Sequence, residues 1–493
     1  MSDKLVLGPL LSVEDDNKYV VCFLSKLDSK FSVFFDKEEI EAKKIGNLKS
    51  GFFYRVEFDI EQSKDSRTIT YKILNNNTNI IDIHNRESWE FYIPAIGEKP
   101  KFAYASCNGF SSPDLLAKTE EPYLLWDKLI AQHQNEPFSV LIMGGDQVYA
   151  DELWSKVKEL EEWSRLNMSE KIKRKATKGM IKNLNDFYEK LYLKKWSDKQ
   201  MSLCLATIPT IMMWDDHDIF DGWGSYPDEL LQSDVYQNIF KTAKKYFEIF
   251  QIRSIKNKTL LTKNRTHFSF ALKFRNYNIL GLDNRTQRSI YQVMGNEQWK
   301  NINTYLDKNI LNDNLLVLSA VPVVYRDFSL TENLVDFTSW QEELTDDLKD
   351  HWRAKEHQGE RMRLIMRLFM NIEKRKLSMR NTRTVILSGD VHVGSLGVIN
   401  DHKKENKIHQ VVSSGIVHTP PSYIQWLGIT SITNDNNEFL NEDKTIETSM
   451  LTPVGSAKYL RVRNFVTLNE GSDEKLWINW ICDNKDRPCY PLD

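Results

Sequence analysis

The sequence predicts an α/β protein preceded by a small antiparallel β module, and three observations carry that reading. Before residue 97, short apolar runs at 19–24, 31–35, 52–60 and 68–74 alternate with polar turns, the spacing of a small antiparallel sheet. From Lys101 onward, compact apolar runs alternate with amphipathic stretches, the pattern of strands buried between helices. Most of those runs end in small or metal-ligating residues, as strand ends do where loops converge on one crevice.

At 493 residues the chain exceeds one ordinary core, because compact domains hold roughly 100–200 residues. Pro94, Gly97 and Pro100 interrupt the first pattern, which divides the chain into an N-terminal β module over 1–97 and a larger domain over 98–493. In the larger part the expected strands are 102–106, 139–143, 210–214, 279–282, 315–319 and 384–387. Residues 156–199 and 342–376 carry apolar residues at three- and four-residue steps among many charges, so they read as helices with a structural or lid-forming role. Residues 429–451, rich in Asn, Thr and Glu, read as an exposed loop, and 459–468 with 475–483 as a closing pair of strands.

Composition excludes several classes. Apolar residues at 41% and charged residues at 27% match an ordinary folded chain, not a disordered or fibrous one. The 66 Lys and Arg nearly balance the 69 Asp and Glu, so no field argues for a nucleic-acid or membrane partner. No basic leader and no apolar run of about 18 residues is present, from which a cytoplasmic location is expected. Five scattered cysteines do not make a disulfide framework, and the six residues between Cys482 and Cys489 match no standard zinc spacing. Neither a Gly-X-Ser-X-Gly elbow at a strand end nor a Walker phosphate loop occurs.

The chemistry collects after four of the expected strands: Cys107-Asn108, Gly-Gly-Asp146-Gln-Val-Tyr149-Ala-Asp151, Asp215-Asp216-His217-Asp218, and Ser-Gly-Asp390-Val-His392. Any one of these alone reads as an exposed turn. Together, within one domain, they crowd carboxylates that repel one another unless cations neutralise them. A hydrolytic metal pair needs a bridging carboxylate, further oxygen and nitrogen ligands, and open positions for water and substrate, and these residue types provide the ligands.

These four elements, with Leu-Asp283-Asn-Arg285, resemble the alkaline phosphatase D (PhoD-like) metallophosphatases, a branch of the calcineurin-like and purple-acid-phosphatase-like phosphoesterases, over roughly residues 101–422. The resemblance implies a metallophosphoesterase β-sandwich flanked by helices. It also implies that Cys107, Asp146, Tyr149 and His392 hold a first metal, that Asp146 bridges, and that Asp216 and Asp390 hold a second. A thiolate and a phenolate suit ferric iron. Two carboxylates suit a harder second ion, calcium before magnesium or manganese, with zinc as an alternative. The superfamily's further histidine for the second metal has no counterpart at Ser319-Ala320-Val-Pro322, and His351, His357 and His418 are candidates without a placed role.

By the same resemblance His217 protonates the leaving oxygen or stabilises the transition state, with Asp218 expected to orient its ring. Arg285 is a candidate phosphate clamp, its alternative being a salt bridge to a carboxylate, and Asn108 a candidate donor to the substrate. Trp126, Trp214, Trp223 and Tyr226 suit either a pocket wall or the core. The expected substrate is a phosphate ester, monoester or diester, with a phospholipase-type diesterase and a silent metal-stabilised binding protein as rivals.

Overall fold

The computed structural model describes residues 4–254, 256–308, 313–327, 351–377 and 382–493. Among them the strands form a ten-stranded, a nine-stranded and a five-stranded sheet.

At the centre of the ten-stranded sheet lie three parallel strands, Phe102–Ala105, Val140–Gly144 and Thr210–Met213. The nine-stranded sheet is built on four more, Tyr277–Leu282, Asn314–Ser319, Thr384–Ser388 and Asn406–Val412, again parallel. Side chains alternate across each strand, so successive residues serve two different cores. Phe102, Tyr104, Val140 and Ile142 face Leu316, Leu318, Val385 and Leu387 in the core between the sheets. Ala103, Leu141 and Met143 point outward to a helical layer that includes Lys178–Trp196, Lys199–Thr207 and Asp234–Phe247. Leu315 and Val317 meet the helices Asn296–Lys308 and Gln358–Lys376 on the opposite outer face. The result is a β-sandwich between helices, and every expected strand of the larger part is present to within a few residues.

The first hundred residues contribute twice. Phe31–Phe35, Arg67–Asn75 and Trp89–Ile93 belong to the small antiparallel sheet. Leu7–Val13, Lys18–Ser25 and Gly51–Asp59 instead extend the ten-stranded sheet beyond Thr210–Met213. The sheet was not foreseen to run on in this way, because alternation marks a strand without naming its neighbour.

The expected helix over 156–199 is several shorter ones, including Lys158–Ser164 and Lys178–Trp196. Of the expected helix over 342–376, Gln358–Lys376 is observed and 342–350 lies outside the described residues. The expected loop over 429–451 is corrected: Tyr423–Ile432 is a helix and Ile446–Leu451 a strand paired with Gly394–Asp401. Ser422 caps that helix by accepting the Gln425 N–H while Gln425 returns a bond to the Ser422 N–H, a capping box that overrides the polar composition nearby.

Candidate metal centre

The parallel strands of both sheets end on the same side, and the loops that follow them interlock. Cys107 N–H donates to the Gly145 carbonyl (3.2 Å) and Asn108 N–H to that of Asp146 (2.8 Å). Gly389 N–H donates to the Ala320 carbonyl within the loops of the nine-stranded sheet, and Val417 N–H donates to the Cys107 carbonyl, which ties the two sheets' loops together. Sharp reversals aim the side chains inward: Cys107, Asp146, Asp390 and His392 all have positive φ, between 53° and 69°. Non-glycine residues seldom take that conformation, and its clustering here marks a constrained site. Gly145 precedes Asp146 at φ 119°, where a Cβ would lie 3.0 Å from that of Asp215; any side chain there is strained and crowded.

Three overlapping groups result. Ligand-type atoms of Cys107, Asp146 and His392 lie within 4.8 Å of one another, as do those of Asp146, Asp216 and His217, and those of Asp215, Asp216 and Asp390. Asp146 and Asp216 each belong to two groups. Tyr149 Oη stands 3.2 Å from His392 Nε2 and 3.4 Å from Asp146 Oδ2. The structure therefore brings together Cys107, Asp146, Tyr149, Asp216, Asp390 and His392, contributed by both sheets. Asp215, to which no role was given from the sequence, completes the third group.

The donor set fits cations. Asp146 is buried, and its Oδ1 has no hydrogen-bonding partner among the described residues. Burial, followed by neighbouring carboxylates, pushes its pKa well above the usual carboxylate range even though His217 opposes the rise. Burial together with the charge of Asp146 raises the Cys107 thiol, and burial together with Cys107 raises the Tyr149 hydroxyl. The protein alone thus disfavours the anionic forms that ligate metals, and a cation supplies the missing compensation.

His217 has a different setting from the one expected. Its Nδ1 pairs with Asp151 Oδ2 at 2.8 Å, and Asp151 Oδ1 accepts the Asp221 N–H at 2.8 Å. Burial opposes the charged ring, but Asp151 and Asp216 outweigh it and raise the His217 pKa well above its ordinary value. Asp218 does not orient His217. Its carboxylate accepts from the N–H groups of Asp215 (2.8 Å), Gln147 (3.1 Å) and Val148 (3.2 Å) and from Gln251 Nε2 (2.8 Å), which pins the ligand loops to one another. Adjacent residues in this tight turn point in opposite directions, so Asp218 faces the scaffold while His217 faces the crevice.

Asn108 is likewise corrected as a donor to substrate. Its amide donates to the Gln147 carbonyl (3.2 Å) and accepts from Trp126 Nε1 (3.0 Å), wholly inside the core. Arg285 is fully buried, with Nε against Asp215 and Nη2 3.3 Å from Asp216 and 3.6 Å from Asp390. This is the carboxylate pairing that was the alternative to a phosphate clamp. Trp126, Trp214 and Trp223 are core residues, and Tyr226 packs against that core. His351 stacks on Tyr325, and His357 bonds to the His351 carbonyl, so neither supplies the centre.

His418 does lie at the centre. Its ring stacks on His392 with centroids 3.7 Å apart, Nδ1 faces the Thr419 carbonyl at 2.8 Å, and Tyr149 in turn stacks on His217 at 4.1 Å. Burial and the nearby His217 charge lower the His418 pKa to about 3, which keeps this ring neutral. Asp151, His217, His392 and His418 line a crevice of about 440 Å³ that opens to solvent. Asp151 was legible within the Asp146 motif, whereas nothing in the residues around His418 distinguished it.

A β-sandwich with Cys, Asp, Tyr and His gathered at its strand ends defines the metallophosphoesterase class. The family model for PhoD-related phosphatases matches residues 87–342 and 338–435. The match spans well over half of the chain, which therefore belongs to that family of phosphoester hydrolases. An uncharacterized protein of Saccharomyces cerevisiae, YGR266W, is 26% identical over 505 aligned residues, covering 84% of this chain and 68% of its own length. The solved structure of PhoD matches with a TM-score of 0.60 at 15% identity, covering 99% of this chain and 89% of that one. Purple acid phosphatase PPD1 from yellow lupin seeds matches with a TM-score of 0.54 at 12% identity, covering 98% of this chain and 74% of that one. At such identities the two structures establish the fold alone.

Proposed function

We propose that the chain hydrolyses phosphate esters at a dinuclear metal centre. Cys107, Asp146, Tyr149 and His392 would hold a first metal and Asp216 and Asp390 a second, with Asp146 placed to serve both. The observation that carries this reading is the convergence of three metal-capable groups that share Asp146 and Asp216. Asp215 is the candidate for the additional second-metal ligand, and Arg285 for the fixed charge that holds these carboxylates together. Thiolate and phenolate donors favour ferric iron at the first position, and the carboxylate-rich second position favours calcium, magnesium or manganese. A cation pair supplies Lewis acidity towards water and neutralises charge on the phosphoryl oxygens.

The protein's own contribution centres on His217. Asp151 accepts the Nδ1 proton and leaves Nε2 facing the crevice. Asp151, the largest of the influences that raise the His217 pKa, favours the protonated ring, and in that form His217 can give a proton to the departing alkoxide or offset its charge. Asp218 acts one step removed by fixing the loop backbone.

Metal analysis of protein purified without chelator, joined to a panel of phosphomonoesters and phosphodiesters, tests the reading. Metal occupancy with hydrolysis of at least one class is expected, and His217→Ala is expected to retain metal while slowing turnover by ~10²–10⁴-fold. Metal-free protein that regains no turnover on reloading, or unchanged turnover in His217→Ala, would remove the centre or the histidine respectively.

A further inference from the structure

We propose that a cavity between the edge strand Lys43–Leu48 and the π-helical turn Glu248–Ile252 is a second ligand site, and that it takes a small organic anion with an apolar body. The cavity shares no lining residue with the crevice at the metal centre.

Both walls are irregular where they face the cavity. Lys43–Leu48 is the last strand of the ten-stranded sheet, and its pairing with Gly51–Asp59 slips between Lys44 and Gly46, a bulge at Ile45. Opposite it, the helix Asp234–Phe247 widens into the π-helical turn, which Arg253 ends at φ 60°. Bulges re-aim side chains and π-turns interrupt regular bonding, and both recur beside functional sites. The turn is anchored from behind. Gln251 Nε2 donates to Asp218 Oδ1 (2.8 Å) and to Tyr192 Oη (2.9 Å), and Arg253 Nη1 to the Leu11 carbonyl (3.0 Å). This wall is therefore set before a ligand arrives, which lowers the cost of binding.

The lining selects the chemistry. Ile40, Ile45, Phe53 and Ile249 supply apolar surface, and Ile45 remains 40% exposed. Among the charged residues Glu57 pairs with Arg55 at 2.9 Å, Glu248 with Arg265 at 2.7 Å and Lys44 with Asp28 at 2.7 Å. Lys43, Lys245 and Lys256 have no ion pair among the described residues, and Lys245 donates instead to Asn185 Oδ1 at 2.6 Å. Three such ammonium groups face one carboxylate in the same state, that of Glu41. An anionic group is drawn to that excess while its apolar part leaves water against the isoleucines and Phe53. The volume of about 560 Å³ suits one small molecule. The bulge also breaks the hydrogen-bonding ladder of the edge, which disfavours a strand of another chain as the occupant.

Fluorescence titration of the full chain with 1-anilinonaphthalene-8-sulfonate tests this, since that dye joins a sulfonate to apolar rings. Saturable binding at one site is expected, and octanoate should displace the dye at concentrations about tenfold lower than octylamine or inorganic phosphate need. Ile45→Asp and Lys245→Glu, both at exposed positions, should each weaken dye binding by about tenfold while the melting temperature holds. Absence of saturable binding overturns the proposal, as does dye binding that neither substitution alters, which would place the dye elsewhere. Displacement by octylamine as effective as by octanoate overturns the selection for an anion, and displacement by phosphate as effective as by octanoate overturns the need for an apolar body.

Discussion

At the scale of single residues, the consequential distinction is between two aspartates near one histidine. Asp151 holds the His217 ring, while Asp218 accepts three backbone N–H groups and one side-chain amide. Their Asn variants should therefore fail differently. Asp151→Asn is expected to lower kcat by ~10²-fold or more with KM, metal content and melting temperature nearly unchanged, because the imidazole loses its orienting charge. Asp218→Asn is expected to cost about 3 kcal/mol of stability and to lose metal, since an amide cannot accept all of those bonds from buried donors. Steady-state kinetics, metal analysis and thermal melts on both variants separate the two roles, and a reversed pattern would restore Asp218 as the histidine's partner. The sequence placed both aspartates beside the ligands. Which of them faces the ring depends on the φ and ψ angles of one turn, and residue order does not encode that.

At the scale of elements, the strands were legible and their partnerships were not. Runs such as 315–318 and 385–387 are apolar throughout because both faces of their strands are covered, and that signature survives without knowledge of neighbours. The helix Tyr423–Ile432 escaped notice because its period is masked: it has no buried face to impose one. A better-patterned element offers a test of burial. His133, near the end of the helix Leu124–Asn135, accepts the Phe138 N–H at 3.0 Å, and burial lowers its pKa to about 4. The folded protein thus keeps this ring neutral while the unfolded chain takes up a proton near pH 6.5. Its contribution is complete above that value and is lost as pH falls from about 6.5 to 4. His133→Gln is expected to flatten that part of the stability curve by an amount on the order of 3 kcal/mol at the acid end. Chemical denaturation at pH 7 and pH 4.5 checks it, and equal acid losses in both proteins would show that the ring titrates freely.

At the scale of the whole molecule, the centre sits where two sheets meet. Cys107, Asp146 and Asp216 follow strands of one sheet, and Asp390 and His392 follow a strand of the other. Binding of cations to the folded form alone stabilises it by mass action. Removing them with a chelator is expected to lower the melting temperature by more than about 3 °C and to expose the buried Cys107 to thiol reagents. Calorimetry and thiol labelling before and after chelation read this, and an unchanged melt would mean that the ions, where bound, do not bridge the sheets.

The four left-handed residues that aim these side chains have a further consequence for the history of such a chain. Each forces the backbone to double back so sharply that a neighbouring insertion or deletion would swing a donor out of reach. Insertions are therefore expected to be tolerated less beside these residues than at the rim, where the helix Tyr423–Ile432 lies.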